Sequence, residues 1–486
     1  MLYYRLIEQH LENQDSVFWD DSHSMSYMEL HKAVMGFAKR MEAYVGTGGK
    51  DGTVLIVSCS CMDACIAVLS CISLGIRYSV VHETMTAARK KYIIENSNAI
   101  LVIGQNADWI TDPQIPFLNM RDVWDSFLQE PAERKKPVSL EKDAYILYTS
   151  GTTELPKGVL AGYGQIAFLV KAINHVLKNS SDDIIWNCLP LAFDYGMYQL
   201  FLALDSEASF YISDQPLIPL IPKILAEKAI TAFPAVPSLI GMLLKSQLLQ
   251  RVSGFIRLRY ISSTGDTLPV RWIKEMEKSL PGTVVIPMYG ITECKRVAVM
   301  PLEDKEKKYL GSCGLPLPGV DVVLADAEQP AELIVYGPNV MKGYWKVPEE
   351  TQKSFGFDEK RKQWYLKTGD LFRQDTEGYL YFVERKSGFI KSNGYRISGR
   401  EIDAFFIENV SGIYECCTVG VPDPDIGQRI VTVIYGICHM DEVDRQVCLL
   451  PAYLRPHKVV ILDFELPKTA NGKFDKKKIV EMAGKE

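Results

Sequence analysis

The segment that decides the fold is DAYILYTSGTTELPKGVL, residues Asp143 to Leu160. Its first part, AYILYTS, is an apolar and aromatic run that is typical of a buried strand. Small and hydroxyl-bearing residues follow from Thr149 to Thr153, and Lys157 and Gly158 close the turn. Such residues let backbone N–H groups approach phosphate oxygens, and the lysine adds a positive charge. The segment therefore indicates a strand that leads into a phosphate-binding loop.

This loop differs from a Walker loop, in which the lysine is followed by Ser or Thr at the start of a helix. Here Lys157 precedes Gly158. Taken alone, the segment is also compatible with a Ser/Thr-rich surface turn. The decision between the two interpretations depends on the rest of the chain.

Strand and helix patterns alternate upstream of this segment. Strands are predicted at TVLIVSC, YSVVH and AILVIG, with a helix ending near Leu74 and another from about Ala87 to Asn96. This alternation favours an α/β fold with largely parallel sheets. The glycines of VGTGGKDGT, residues 45–53, precede a strand rather than a helix, so we interpret this stretch as a loop.

The predicted secondary-structure pattern changes in the last third of the chain. From about Gly311 short aromatic-rich strands predict a β-rich subdomain. After Arg385 the pattern is that of a mixed α+β unit of about 100 residues. We therefore predict a large N-terminal domain over residues 1–385, a small mobile C-terminal domain over residues 386–486, and a hinge near Ser387.

Composition and charge exclude several classes of protein. The chain has 486 residues, 54 Lys and Arg against 60 Asp and Glu, and a net charge of −6. That balance does not suit a sequence-independent nucleic-acid binder. The N-terminus has no signal-peptide pattern, and the longest near-apolar stretch, Ala64 to Ile76, is too short to span a bilayer. We expect no membrane span and a cytoplasmic location.

The eleven cysteines are expected to be reduced thiols that bind no metal. Four of them, Cys59, Cys61, Cys65 and Cys71, lie where a strand runs into an apolar helix, and no histidine or second CxxC pair accompanies them. In that setting cysteine acts as a small buried apolar residue. A metal or redox site is the weaker interpretation.

Nine motifs in order carry a resemblance to a known family. They are YTSGTTELPKG (148–158), LPLAFDYGMYQ (189–199), STGDTLP (263–269), MYGITE (288–293), GSCGLPLPG (311–319), ELIVYGPNVMKGYW (332–345), YLKTGDL (365–371), ERKSGFIKSNGYRISGREID (384–403) and LPKTANGKFDK (466–476). The chain resembles the adenylate-forming superfamily of acyl-CoA synthetases, peptide-synthetase adenylation domains and luciferases. The resemblance implies stacked αβ sheets, a β-rich subdomain and a mobile lid.

The resemblance implies ATP and Mg²⁺ as cofactors and assigns residues to the nucleotide. The phosphate loop matches Thr149, Ser150, Gly151, Thr152, Thr153 and Lys157. Glu293 matches the Mg²⁺-binding acid, and Thr292 and Gly290 belong to the same motif. Tyr289 is expected to stack on adenine beside the Gly265–Asp266 turn. Asp370 is expected to bind the ribose hydroxyls, with Arg385 in support.

The resemblance also implies two half-reactions. Lys473 matches the catalytic lysine that bridges the substrate carboxylate and the α-phosphate during adenylation. On spacing alone, a surface lysine beside an Asn-Gly turn is the better interpretation of Lys473. Ser387 stands at the hinge where the family has Asp or Lys, which leaves its side-chain role in doubt. Gly394 is expected to line the tunnel for the pantetheine thiol.

Asp194 in AFDYG predicts that the substrate acid is an amino acid. This residue matches the aspartate that binds the α-ammonium in amino-acid-activating relatives, and a buried carboxylate needs a cation. The alternative is that Asp194 caps the following helix. The same resemblance implies a pocket formed by Tyr195, Tyr198, Pro234, Ser262, Thr264, Met288, Arg296 and Val297. Arg296 is expected to meet a second carboxylate, either on the substrate or at Asp194.

Three functions remain open at this point. The first is an enzyme that activates an amino acid and loads it on a separate carrier protein. The second is an acyl- or aryl-CoA synthetase that uses coenzyme A as the acceptor. The third is a nucleotide-binding module without turnover, against which Lys473, Glu293 and Asp370 argue.

Overall fold

A computed structural model describes residues 2–45, 51–58, 61–83, 85–110, 112–126, 138–149, 156–214, 216–304, 306–326, 328–386, 388–469 and 473–485. Within them the strands are β1 (Val17–Trp19), β2 (Ser24–Ser26), β3 (Thr53–Ser58), β4 (Arg77–His82), β5 (Ala99–Gly104), β6 (Phe117–Asn119), β7 (Asp143–Thr149), β8 (Lys157–Gly162), β9 (Ile184–Asn187), β10 (Ser209–Ile212), β11 (Ala232–Ala235), β12 (Tyr260–Ser263), β13 (Val284–Tyr289), β14 (Ala298–Val299), β15 (Leu315–Pro316), β16 (Asp321–Leu324), β17 (Ala331–Tyr336), β18 (Gly343–Tyr344), β19 (Phe355–Asp358), β20 (Gln363–Gln374), β21 (Leu380–Arg385), β22 (Ile390–Ser392), β23 (Tyr395–Ile397), β24 (Ile413–Asp423), β25 (Gly427–Gly436) and β26 (Lys458–Leu462).

The helices of the same residues are α1 (Leu2–Leu6), α2 (Tyr27–Val45), α3 (Met62–Leu74), α4 (Ala87–Ser97), α5 (Asp122–Ser126), α6 (Tyr163–Leu177), α7 (Asp194–Asp205), α8 (Ile221–Glu227), α9 (Pro237–Ser246), α10 (Leu249–Val252), α11 (Val270–Ser279), α12 (Glu306–Tyr309), α13 (Pro348–Ser354), α14 (Gly399–Asn409), α15 (Met440–Leu449) and α16 (Lys476–Lys485). None of these described helices is both long and apolar enough to cross a membrane.

Two sheets with parallel centres form the body of the large domain. The first has the strand order β15-β14-β13-β12-β11-β9-β10-β1-β2, and its strands from β13 to β1 are parallel. The second has the order β18-β8-β7-β4-β3-β5-β6 and is parallel from β7 to β6. Every residue of β3 is buried, because helices cover both faces of such a sheet.

The remaining sheets are largely antiparallel. The third, with the order β16-β17-β20-β19 and β21 beside β20, is the β-rich subdomain. Buried and half-buried residues alternate along β17, as expected of a sheet with one covered face. The fourth sheet, β23-β22-β25-β24 with β26 parallel to β25, draws only on strands after residue 385. The domain boundary that we placed at residues 385 and 386 stays a prediction.

One apolar core joins the first two sheets through the helices between them. It includes Phe18 and Phe210 from the first sheet, Val54 from the second, and Phe201 of α7. The small domain has its own cores on the two sides of the fourth sheet, one with α14 and α15 and one with α16. The predicted fold class, a large α/β domain with a β-rich subdomain and a small α+β domain, is confirmed.

The apolar helix predicted after β3 is present as α3, and Cys65 and Cys71 are buried in it. Burial raises the pKa of both thiols well above the usual value, so neither is a reactive thiolate at neutral pH. Cys59 and the glycine-containing stretch 46–50 lie outside the described residues. The reduced state of the eleven cysteines stays a prediction.

Candidate active site

The expected acid pocket lies at one edge of the first sheet. Pro234 of β11 and Ser262 of β12 are paired in register, and Thr264 and Met288 stand at the carboxyl ends of β12 and β13. Helix α7 begins at Asp194, after the carboxyl end of β9. The carboxyl ends of parallel strands are the usual place for ligands in such folds. The topology therefore brings the predicted pocket residues together.

Two tyrosines of α7 are fixed by hydrogen bonds inside this pocket. The Tyr195 hydroxyl donates to the Ser262 carbonyl at 2.7 Å and lies 2.8 Å from its hydroxyl. The Tyr198 hydroxyl lies 3.4 Å from that of Tyr145. Burial raises the pKa of both Tyr195 and Tyr198, so both remain neutral phenols. They shape the pocket rather than supply charge.

The partner of Asp194 is a lysine of the protein. Asp194 Oδ2 lies 3.5 Å from Lys295 Nζ, and its Oδ1 accepts a hydrogen bond from the Tyr195 backbone at 2.8 Å. Burial opposes ionisation of Asp194, but Lys295 and Arg296 outweigh it and hold its pKa below the usual value. The sequence argument that a substrate ammonium must meet Asp194 therefore loses its basis. Asp194 is also the first residue of α7 rather than its N-cap, which is Phe193.

A second buried cation stands beside this pair. Lys295 and Arg296 are only 4% and 8% exposed. The Arg296 guanidinium lies 5.0 Å from the centre of the Tyr195 ring. Among the described residues, neither Lys295 Nζ nor Arg296 Nε has a hydrogen-bond partner. The pocket thus holds two cations against one carboxylate, with donor capacity left over.

A tight loop after β13 aims these cations into the pocket. Val297 N donates to the Tyr289 carbonyl at 2.9 Å, which closes the loop. A Cβ on Gly290 would lie only 1.6 Å from the Lys295 carbonyl oxygen, so only glycine permits this approach. Our sequence analysis missed Lys295. The signal was present, because its neighbours Cys294, Val297 and Ala298 are apolar and predict burial of the whole segment.

The residues expected around the nucleoside form one connected group. The Tyr289 hydroxyl donates to Asp370 Oδ2 at 2.8 Å, and Arg385 Nε lies 3.1 Å from Asp370 Oδ1. Asp370 and Arg385 are opposite each other on β20 and β21. Burial raises the pKa of Asp370, although Arg385 opposes this rise. The predicted roles in adenine and ribose binding stay predictions, but the structure brings these side chains together.

Glu293 and Lys157, which are predicted to act at the phosphates, both contact Tyr344. Glu293 Oε1 accepts a hydrogen bond from the Tyr344 hydroxyl at 2.9 Å, and Lys157 Nζ lies 5.6 Å from the centre of the same ring. Lys157 also pairs with Glu350 at 3.1 Å. Thr292 is half-buried next to Glu293. A cavity of about 370 Å³ opens beside Glu293 and is lined by Thr368, Gly369, Lys353, Lys367 and Lys386, among others.

Part of the phosphate loop lies outside the described residues. Thr149 ends β7, but its side chain and the residues Ser150, Gly151, Thr152 and Thr153 are not among those described. Ser387 at the predicted hinge also lies outside the described residues. The assignments of these residues stay predictions.

Lys473 reaches the site from the small domain. Its carbonyl accepts a hydrogen bond from Thr469 N at 2.8 Å, beside an antiparallel bridge between Lys468 and Phe474. Although Lys473 is exposed as a residue, desolvation of its ammonium lowers its pKa, and Asp266 and Asp194 oppose that effect. Lys473 also acts electrostatically on Asp370. Lys473 therefore acts electrostatically on both the acid pocket and the nucleoside group.

Two predicted glycines are required by their backbone conformation. Gly265 has a φ of +101° and Gly394 a φ of +80°, values that favour glycine. The sequence analysis gave Gly394 a different reason, close approach of a pantetheine chain. In this structure a Cβ on Gly394 would meet open space, so the Asn393–Gly394 turn explains the residue here.

Comparison with known proteins identifies the family. The sequence model of the AMP-binding enzyme family matches residues 7–345, and that of the AMP-binding enzyme C-terminal domain matches residues 401–473. The chain belongs to the AMP-binding enzyme family. The predicted adenylate-forming superfamily is thereby confirmed, and the enzyme is an AMP-forming acid–thiol ligase that uses ATP with Mg²⁺.

The relatives of this AMP-binding enzyme include malonate–CoA ligases. That of Arabidopsis thaliana is 30% identical over 70% of this chain and 60% of the relative, so the chain spans less than two thirds of its length. The mitochondrial malonate–CoA ligase of Homo sapiens is 26% identical over 96% of this chain and 90% of the relative.

Solved structures share the fold of this AMP-binding enzyme. ATP-bound MatB from Rhodopseudomonas palustris has a TM-score of 0.87 at 23% identity and covers 99% of this chain and 98% of its own. VinN in complex with L-aspartate has a TM-score of 0.71 at 27% identity, over 79% of this chain and 98% of its own.

Glu293 and Asp370 have the chemistry needed to bind Mg²⁺ and a nucleotide. Glu293 is half-buried beside the cavity, and one hard carboxylate ligand suits an ion that keeps water and phosphate oxygens as its other ligands. Asp370 Oδ1 is buried, and its ion pair with Arg385 does not have hydrogen-bond geometry, so this oxygen can still accept a hydrogen bond. Both oxygens are acceptors of the kind that a metal-bound nucleotide would use.

Proposed function

We propose that this enzyme activates a small dicarboxylic acid with ATP and transfers the acyl group to coenzyme A. The observation that carries this proposal is the pair of buried cations, Lys295 and Arg296, against the single carboxylate of Asp194. The proposal names the substrate class and the acceptor, neither of which follows from the family alone.

Charge balance favours a second carboxylate on the substrate. A buried charge is costly unless an opposite charge meets it. Asp194 neutralises one of the two cations, and one positive charge remains. The distal carboxylate of a dicarboxylic acid would neutralise it and accept the unused N–H donors of Lys295 and Arg296. A fatty or aryl monoacid would leave that charge unpaired.

The relatives support the same substrate class and acceptor. Malonate, the acid in the names of the two malonate–CoA ligases, is a three-carbon dicarboxylic acid, and coenzyme A is the acceptor in those names. This chain carries an acid-pocket charge pattern that suits such an acid. Our first sequence interpretation, an amino acid loaded on a carrier protein, is therefore replaced by its alternative.

The residues have distinct parts in the proposed reaction. Lys295 and Arg296 hold the distal carboxylate, so that the proximal carboxylate points to Lys473. An oxygen of the proximal carboxylate attacks the α-phosphorus, the bond to the β-phosphate oxygen breaks, and pyrophosphate leaves. Glu293 would hold Mg²⁺, which would offset the negative charge of the phosphates. Lys473 stabilises the charge that develops at the attacking and α-phosphate oxygens. The thiolate of coenzyme A then attacks the acyl carbonyl, and AMP leaves.

An aminodicarboxylic acid is a second candidate. Two observations favour it: the side chain of Asp194 is 28% exposed, and the structurally similar VinN was solved with L-aspartate. It ranks second because an added ammonium would restore the positive charge that the second carboxylate removes.

A panel of matched acids tests the proposal. Malonate against propionate and succinate against butyrate differ in one carboxylate, and aspartate against succinate differs in one amine. We expect pyrophosphate exchange with a dicarboxylic acid to exceed that with its monoacid by roughly 10²-fold or more in kcat/KM, since unpaired polar groups reject the wrong substrate. Equal rates, or a preference for monoacids, would contradict the proposal. A preference for aspartate over succinate would select the second candidate.

The acceptor is tested with the acid that the panel selects. Thioester formation is compared between coenzyme A and a phosphopantetheine-bearing carrier protein. We expect product with free coenzyme A at a rate close to that of adenylation. Product with the carrier protein only would contradict the proposed acceptor and leave the acid class standing.

A further inference from the structure

The side chain of Arg400 extends from the small domain and contacts the large domain. It is the second residue of α14 and follows the N-cap Ser398. Its Nη1 lies 2.6 Å from both Asp266 Oδ1 and Thr267 Oγ1, in the turn after β12. This turn begins with Gly265, which our sequence analysis placed beside adenine. A charge-assisted contact of this length is strong for a single side chain.

The same guanidinium also contacts the strand that ends the large domain. It lies 5.0 Å from the centre of the Phe382 ring, and its Nε is 3.6 Å from Glu384 Oε1. Glu384 is buried and accepts a hydrogen bond from the Ser398 hydroxyl at 3.1 Å. A planar guanidinium can make ion pairs at its edge while its face packs on a ring, which lysine cannot do. Arg400 thus ties α14 to two elements of the large domain.

Arg400 and Lys473 share the same acidic partners. At Asp266 burial opposes ionisation, but Arg400 and then Lys473 hold the pKa below the usual value. Both cations also act on Asp370. Because Arg400 is fastened directly to Asp266, it fixes the place of the small domain from which Lys473 faces the acid and nucleotide sites.

Other contacts keep the small domain attached when Arg400 is removed. Arg271 Nη1 donates to the carbonyls of Ile407 and Val410, at 3.1 and 3.2 Å, at the far end of α14. Lys245 of α9 packs on the rings of Tyr414 and Tyr435, 4.5 and 4.2 Å from their centres. With these contacts in place, loss of Arg400 would change the tilt of the small domain rather than its attachment.

We infer that Arg400 is a positioning residue for adenylation, which holds the small domain so that Lys473 faces the reacting carboxylate. The inference rests on the adenylation step of the proposed function but not on the identity of the acid. It assigns to Arg400 no contact with substrate. A displacement of about 1 Å at a reacting centre can cost about 10²-fold in rate.

The test compares Arg400→Ala, Arg400→Lys and a control, Arg429→Ala. Arg429→Ala removes the same charge from the same domain. Arg429 is a suitable control because its ion pair, with Asp423 at 2.8 Å, lies within that domain. We expect kcat for pyrophosphate exchange to fall about 10- to 100-fold in Arg400→Ala, with a smaller loss in Arg400→Lys. Thiol transfer from supplied acyl-adenylate should stay within about threefold of wild type, as should both activities of Arg429→Ala.

A second measurement needs no substrate. Arg385 and Lys386 are exposed and lie between the domains, so tryptic cleavage there reports on how firmly the small domain is held. We expect cleavage to be about fivefold faster in Arg400→Ala than in wild type, at an unchanged Tm. Unchanged cleavage, or equal losses in both half-reactions, would overturn the inference. Absence of exchange by wild type with every acid would instead contradict the proposed function, while the cleavage measurement would still decide the role of Arg400.

Discussion

At the residue scale, the proposed recognition of a dicarboxylic acid depends on three charged side chains that are adjacent in space. Asp194 pairs with Lys295, and Arg296 stands beside them without a carboxylate of its own among the described residues. The pair explains why a carboxylate is tolerated in the pocket. In the proposed function, the remaining cation would meet the second carboxylate of the acid.

The Asp194–Lys295 pair can be tested by a double-mutant cycle. Asp194→Asn leaves Lys295 and Arg296 as two buried cations without a carboxylate, so we expect a loss of about 1–3 kcal/mol in the free energy of unfolding at pH 7. Asp194→Asn/Lys295→Met should lose less than the sum of the two single variants, because one of the two uncompensated charges is gone. Urea unfolding measures the free energy of unfolding of wild type, the two single variants and the double variant. Strict additivity would show that the two groups do not interact.

At the element scale, much of the fold could be predicted from the sequence. The predicted strand at Ala99–Gly104 and the end of a helix at Leu74 agree with β5 and α3. These elements are buried runs with one dominant period, so local pattern suffices. The pairing of Asp194 with Lys295 could not be predicted in the same way. It depends on the loop at Gly290, which brings two segments 101 residues apart into contact.

For the candidate site too, some features could be predicted from the sequence and others required the structure. The sequence motifs indicated which side chains belong to it, and the structure brings Tyr289, Asp370 and Arg385 together as expected. The charge balance of the acid pocket could not be read from motifs, because it required the position of Lys295. Arg400 lay inside a quoted motif, but its contact with Asp266 joins two domains and has no local signature.

Helix α14 also carries Asp403, a carboxyl group with a pH-dependent effect on stability. Burial raises the pKa of Asp403 to about 7, while Thr418, Lys476 and Cys416 oppose the rise. Arg400 faces it from the same helix. Because the folded state holds this proton more tightly than the unfolded state, stability is greatest below the unfolded pKa and falls as pH rises towards 7.

Asp403→Asn, which resembles the protonated acid, should therefore stabilise the protein at pH 8. We expect a gain of about 2–4 kcal/mol in the free energy of unfolding at pH 8 that disappears near pH 4. Urea titrations at both pH values measure it. A difference between the two proteins that does not change with pH would contradict the assignment.

At the scale of the whole molecule, the site is complete only when both domains contribute. The large domain supplies the acid pocket and the nucleoside group, and the small domain supplies Lys473. Arg400, Arg271 and Lys245 connect the two domains at separate points. In this arrangement Lys473 of the small domain acts electrostatically on Asp194 and Asp370 of the large domain.

Lys473→Ala should separate the two half-reactions. Loss of one preorganised donor at developing charge costs roughly 10²–10³-fold in rate, and we expect that loss in pyrophosphate exchange only. Thiol transfer from supplied acyl-adenylate should be nearly unchanged. Lys478→Ala is the matched control, because Lys478 is exposed on α16 and pairs only with Asp475 among the described residues, at 3.6 Å. Exchange by Lys473→Ala within threefold of wild type would remove the catalytic assignment.

The most direct test of the central claim is the ratio of kcat/KM for malonate to that for propionate, measured by pyrophosphate exchange in wild type and in Arg296→Met. The claim is that buried cations in the acid pocket recognise a second carboxylate. We expect a ratio of roughly 10² or more in wild type and a fall of at least about tenfold in Arg296→Met, as the monoacid no longer leaves a charge unpaired. A wild-type ratio near one, or a ratio that Arg296→Met leaves unchanged, would contradict the claim.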